Sequence, residues 1–182
     1  WLSNPDYIDP NTDQKIGYMA LINGKQLIEY LDTNIKKAKL NKLILKKIYG
    51  NNLIPNSESS GFKPADSGIG YSISENAGDH DNDGISDLVV MMHYSYSKAG
   101  SLHILSGKDL QHMPDKIIIN EKDFTYVIGS FLAYLGPGLY TGNDYDKDGY
   151  DDILLGADVD HEAGYSAGAI YILSGKKVTT PK

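Results

Sequence analysis

Two short stretches of the chain concentrate carboxylates at a spacing suited to one chemistry, the capture of a hard cation. Asp79-x-Asp81-x-Asp83-Gly84-Ile85-x-Asp87 and Asp144-x-Asp146-x-Asp148-Gly149-Tyr150-x-Asp152 put Asp at loop positions 1, 3, 5 and 9 and Gly at position 6. A chain wound tightly around an ion brings the first three carboxylates together, and Gly supplies the sharp turn. Position 7 then offers its backbone carbonyl, here that of Ile85 or Tyr150, and position 9 closes the shell. Oxygen-only ligands in a flexible loop select Ca²⁺ over Zn²⁺, and over Mg²⁺, which holds its water and wants strict octahedral geometry. Two Ca²⁺ sites are therefore expected, with affinities of ~10⁻⁴ to 10⁻³ M, as in extracellular modules.

The residues after each loop decide which element positions it. An EF-hand needs an acidic ligand at position 12 and then a helix, but Val90 and Leu155 stand there. The residues beyond position 9 run apolar, as a strand does, so each loop joins two strands. His80 and Tyr145, at position 2, are expected to face solvent.

The loops belong to a larger repeat. Gly17 to Lys25, Gly100 to Lys108 and Gly168 to Lys176 each read Gly, six residues, then Gly-Lys. Their middle residues are β-branched, aromatic and aliphatic, too few for a helix and closed by a Gly turn, so each reads as a strand. The aspartate loops recur at an offset of 65 residues and the last two Gly-Lys strands at 68. A period of that size, made of short strands, suggests an all-β chain with one four-stranded antiparallel sheet per repeat, the blade of a β-propeller. Within a repeat, strand A spans Gly70 to Ser74 or Gly138 to Thr141, strand B Leu88 to Met92 or Ile153 to Leu155, and strand C the Gly-Lys segment. Leu43 to Leu45 and Ile117 to Ile119 are the candidates for strand D. Residues 1–31 then end an incomplete blade, 32–67 form a connection and outer strand, and 68–124 and 125–182 are blades carrying one calcium loop each. Closed propellers have four to eight blades, so the chain is expected to be part of a larger assembly. Its start at Trp1 fits a processed chain or a portion of a longer one.

Composition removes several function classes. Among 182 residues, 17 basic side chains, all Lys, face 24 acidic ones for a net charge of −7. Without Arg forks and with an acidic surface, nucleic-acid binding is not expected. The absence of cysteine removes thiol catalysis, zinc ribbons and iron–sulfur ligation. The longest uncharged stretch, Phe124 to Asn143, is broken by Gly129, Gly136, Pro137, Gly138 and Gly142, so no membrane span is expected. Lys36, Lys37, Lys39, Lys42, Lys46 and Lys47 read as a solvated face or a guarded strand edge.

The two loops and their flanking strands resemble the FG-GAP repeats of the integrin α-subunit β-propeller, over about Gly68 to Val178 and more weakly over Trp1 to Leu31. Gly156-Ala157-Asp158 stands where that family has Gly-Ala-Pro, and Gly70 and Gly138 where it has the glycine of Phe-Gly. Ile69 and Pro137 replace the Phe, and Met91-Met92-His93 replaces the second Gly-Ala-Pro. The resemblance implies an extracellular or cell-surface protein, calcium used for stability, and ligand binding by the face away from the metal. Expected partners are an extracellular protein or glycan, or further blades of the same or another chain. Tyr94, Tyr96 and Tyr165, on loops opposite the metal, are candidate contact residues.

No catalytic constellation emerges beside these motifs. Gly164-Tyr165-Ser166-Ala167-Gly168 fits a nucleophile elbow in letters, but that turn must lead into a helix, and Ala169 to Leu173 reads as a strand. The repeated Gly-Lys lacks the Ser or Thr of a phosphate loop. Asp158-Val-Asp160-His161-Glu162 reads as a solvated loop rather than a further ion site. The expected function is a non-catalytic, calcium-binding adhesion or interaction module. The alternative is an accessory propeller segment of a secreted hydrolase, a phospholipase or polysaccharide-degrading enzyme, with its active site elsewhere.

Overall fold

The computed structural model describes residues 2–4, 8–10, 14–15, 17–32, 43–50, 69–74, 78–93, 99–119, 125–129 and 134–179. In chain order these form β1 (Leu2–Asn4), β2 (Ile8–Asp9), β3 (Gln14–Lys15), β4 (Tyr18–Ile22), α1 (Gly24–Asp32), β5 (Ile44–Tyr49), β6 (Ile69–Ile73), β7 (Leu88–Met92), β8 (Ser101–Leu105), α2 (Gly107–His112), β9 (Lys116–Ile118), β10 (Thr125–Ile128), β11 (Leu135–Asn143), β12 (Asp152–Ala157), β13 (Ala169–Leu173) and α3 (Gly175–Thr179). They assemble into three sheets, β1-β4-β5-β9, β10-β8-β7-β6 and β11-β12-β13, beside a small β2-β3 hairpin. The expected all-β architecture of mainly antiparallel sheets is what the chain adopts, and strands A, B and C lie where the repeats place them.

The sheets stack through two apolar cores, and strand periodicity assigns the side chains to them. Along β7, Leu88, Val90 and Met92 face the first sheet and meet Met19, Ile48 and Ile117, whereas Val89 and Met91 face the third sheet. There they join Leu102, Ile104, Leu135, Ile153, Leu155 and Ala157. A strand buried on both faces reads as a continuous apolar run, which explains Leu-Val-Val-Met-Met.

Three features differ from the sequence expectations. Ile117 lies in β9, but β9 does not complete the second sheet. It runs parallel to β5 in the first, with Ile48 opposite Ile117, because Ile117 and Ile119 bury themselves in the core between the two sheets. The fourth strand of the second sheet is instead β10, antiparallel to β8, so that sheet reaches past residue 124. The Gly-Lys segments also do more than turn: each opens a short helix, α1, α2 or α3. The third sheet has three strands among the described residues. Pro55 to Ser67, Lys36, Lys37, Lys39, Lys42, Tyr94 and Tyr96 lie outside the described residues.

Candidate metal centre

The two aspartate loops are superimposable in backbone logic. Position 4 has a left-handed conformation in both, Asn82 at φ 59° and Lys147 at φ 61°, as does position 6, Gly84 at φ 83° and Gly149 at φ 92°. A Cβ on Gly84 would meet nothing within 4 Å, so it is the left-handed backbone, not space, that calls for glycine there. The carboxylates then organise the turn. The Asp83 N–H donates to Oδ1 of both Asp79 and Asp81, and the Gly84 N–H to Asp79 Oδ2 at 2.9 Å. The second loop repeats this: the Asp148 N–H donates to Oδ1 of Asp144 and of Asp146, and the Gly149 N–H to Asp144 Oδ2. Oδ1 of Asp83 and of Asp148 accepts the N–H of Ile85 and of Tyr150 respectively, so position 5 shapes the bend as well.

Asp79, Asp81 and Asp87 each bring one carboxylate oxygen within 4.8 Å of the others, and Asp144, Asp146 and Asp148 do likewise. The donor set is oxygen alone, which fits a hard cation of the calcium type. The position-9 aspartates have a further duty. Asp87 is buried; its Oδ2 accepts the His80 N–H and its Oδ1 the Gly107 N–H, at 2.8 and 2.9 Å. Asp152 treats the N–H groups of Tyr145 and Gly175 in the same way. Each ties loop position 2 to the first turn of the helix after strand C, capping that helix from a distance. Burial pushes the Asp87 carboxyl above the ordinary 3.8, with the Asp81 charge adding to the rise, against the two backbone N–H groups and His80, which lower it.

This contact explains the repeated Gly-Lys. A Cβ on Gly107 would stand 2.0 Å from the Ser86 carbonyl oxygen, and one on Gly175 the same distance from that of Asp151. Gly24, in the repeat that has no aspartate loop, meets nothing within 4 Å.

The loops also hold each other, through residues the spacing argument does not single out. The Asp79 N–H donates to Asp151 Oδ2 at 2.8 Å, and the Asp151 N–H donates to the Asp79 carbonyl. His80 is fully buried, contrary to the expectation of a solvent-facing residue, and its Nδ1 donates to the Asp151 carbonyl at 2.7 Å. Tyr145, at the same position of the other loop, is exposed as expected. The only hint in the sequence is the doublet Asp151-Asp152, where the first loop has Ser86-Asp87.

At the other end of the third sheet, Asp160 is buried with Oδ2 accepting the Tyr171 hydroxyl and Oδ1 the Glu162 N–H. These bonds brace the β12–β13 turn. Donating that bond pushes the Tyr171 phenol up to about 12. Ser166 sits at φ 49° with its N–H on His161 Nδ1, and the chain runs on into strand β13, not a helix.

Among the described residues no helix is long and apolar enough to cross a membrane. A search of the curated proteins returned no match. The family model described as FG-GAP repeat matches residues 135–173. Those residues run from β11 through the second aspartate loop to the end of β13, so the third sheet and its loop match an FG-GAP repeat, and such a repeat suggests a β-propeller protein-interaction module.

Proposed function

We propose that the protein is a non-catalytic, extracellular interaction module whose two aspartate loops bind Ca²⁺. The observation that carries this reading is the duplicated loop: two turns of the same backbone signature, each converging three carboxylates. Asp79, Asp81, Asp83, Asp87 and the Ile85 carbonyl would hold one ion. Asp144, Asp146, Asp148, Asp152 and the Tyr150 carbonyl would hold the other. Bound calcium supplies charge neutralisation, moving the formal charge from −7 to −3, and has no part in bond-making. Carboxylates crowded without a cation repel one another, so an ion that binds the folded loop alone stabilises the fold by mass action. Weak sites of this class fill only where calcium is in the millimolar range, as it is outside cells.

Ligand contact belongs at the other end of the sheets. The β12–β13 turn lies opposite the second aspartate loop, and it presents Tyr165 at 95% exposure, stacked on His161 with ring centroids 5.3 Å apart. Exposed aromatic pairs are apt contacts for a protein or glycan. Calorimetric titration tests the metal: two equivalents of Ca²⁺ are expected for the chain and one for Asp81→Ala, which removes a carboxylate of the first convergent trio. Absence of binding at millimolar calcium would end the reading.

A further inference from the structure

The two aspartate loops differ in how their first carboxylate is held. β11 runs to Asn143, which pairs with Asp152, so Asp144 leaves a ladder that its own sheet closes. β6 ends at Ile73, and the described backbone hydrogen bonds of Asp79 both go to the second loop. Its N–H donates to Asp151 Oδ2 and its carbonyl accepts the Asp151 N–H, at 2.8 and 3.1 Å. The next residue continues the seam. The buried His80 ring donates to the Asp151 carbonyl, while the His80 N–H goes to Asp87, the position-9 carboxylate of the first loop. Asp151 in turn adjoins Asp152, the position-9 carboxylate of the second, which accepts the Gly175 N–H. The Thr179 hydroxyl closes the circuit, shared between the carbonyls of His80 and Gly175 at 2.9 and 2.8 Å. A Cβ on Gly78 would lie 2.6 Å from the His80 ring and 3.0 Å from the Asp151 side chain, so glycine there lets the loops close this far.

We infer that Asp151 is a positioning residue shared by the two ion sites, through which an ion in either loop strengthens capture of an ion by the other. The coupling rests on the calcium sites proposed above and adds regulation to them. An ion in the second loop engages Asp152 and so steadies Asp151, whose N–H, carbonyl and carboxylate hold Asp79 and His80. The position-1 carboxylate of the first loop, and through His80 its position-9 carboxylate, are then set before their own ion arrives. Groups that orient a ligand in this way are worth about 10–100-fold in metal affinity. The later ion meets less of the ordering cost, and linkage makes the effect mutual. Charge acts the other way, since each bound ion weakens the negative potential that attracts the next. The turns carrying the carboxylates are exposed, so salt screens that repulsion, with a Debye length of about 8 Å at physiological ionic strength. His80 and Asp87 are buried, so the hydrogen-bonded route escapes the screening. Positive coupling of about tenfold is the outcome.

The test compares binding constants. Asp81→Ala disables the first loop and Asp146→Ala the second. Each removes a convergent carboxylate whose described bond is to one exposed N–H of its own turn, so the seam is left intact. Calorimetric titration with Ca²⁺ gives the single-site association constant of each variant and the overall two-ion constant of the unsubstituted chain. The overall constant is expected to exceed the product of the two single-site constants by about tenfold. With Asp151→Ala added to all three chains, that excess should fall to about threefold or less. Asp151→Asn, whose amide oxygen can still accept the Asp79 N–H, should keep most of it. A role for Asp151 in folding alone would lower the stability of Asp151→Ala and leave the excess unchanged, which would overturn the proposal. Two ions bound without any excess in the unsubstituted chain would overturn it as well, with the calcium reading intact. A chain that binds no calcium would end both.

Discussion

The backbone N–H of Asp79 and the side chain of Asp151, 72 residues apart, are joined by a 2.8 Å hydrogen bond that fastens one aspartate loop to the next. Removing that carboxylate leaves a partly buried N–H unpaired, which costs about 1–3 kcal/mol. Asp151→Ala should therefore lower stability in chelator as well as in calcium, by that amount in denaturant titration. Each loop should still bind an ion by calorimetry, because the side chain of Asp151 is not in either convergent trio.

Calcium should raise the melting temperature. With each of the two sites at ten times its dissociation constant, linkage supplies about 3 kcal/mol, or roughly 6–12 °C for a chain of this size. Differential scanning calorimetry in calcium against chelator reads it directly, and an unchanged melt would remove calcium from the account of stability.

Asp81 and Asp87 should separate the two duties of the loop. Asp81→Ala removes a convergent carboxylate whose one described bond is to the exposed Asp83 N–H, so its effect should appear in calcium and nearly vanish in chelator. Asp87→Ala also strips the His80 and Gly107 N–H groups of their acceptor in a buried setting. It should cost about 2–5 kcal/mol even in chelator.

Three glycines of one motif should respond differently to alanine. Gly107→Ala and Gly175→Ala drive a methyl into a backbone carbonyl that cannot swing aside, and each should destabilise by about 2–3 kcal/mol or more. Gly24→Ala enters open space at the start of α1 and should be neutral or slightly stabilising. Urea denaturation of the three variants makes the comparison.

Tyr171 should titrate late for a phenol. Its phenol pKa is raised in the fold to about 12 from 10.0, chiefly by donating to Asp160. The folded state thus holds the proton more tightly than the unfolded chain. Its stabilising contribution is whole below pH 10 and is lost as the pH climbs towards 12. Ultraviolet titration should show a late phenolate that Tyr171→Phe removes, and Asp160→Asn should bring it back towards the ordinary range.

Much of this arrangement can be read from residue order, since each loop's Asp spacing and its Gly encode a local turn that needs no distant partner. The strands flanking the loops are legible for the same reason, and Leu88 to Met92 announces burial on both faces. What escapes is set by tertiary contact. Ile117 to Ile119 and Thr125 to Ile128 are equally strand-like, and only the core against Ile48 decides that the first pairs with β5 while the second joins β8. The helices after the second and third Gly-Lys, of six and five residues, are too short to show a period. His80 turns inward because Asp151, far along the chain, offers its carbonyl.

The parallel pairing of β9 with β5 means that the polypeptide enters the first sheet, passes into the second, returns to the first and goes back to the second. Those two sheets are stitched together, and a single backbone nick between them would leave the pieces entangled. The third sheet is woven from one contiguous stretch and lacks that thread, so on heating it should be the first to peel away, leaving a sewn two-sheet body behind.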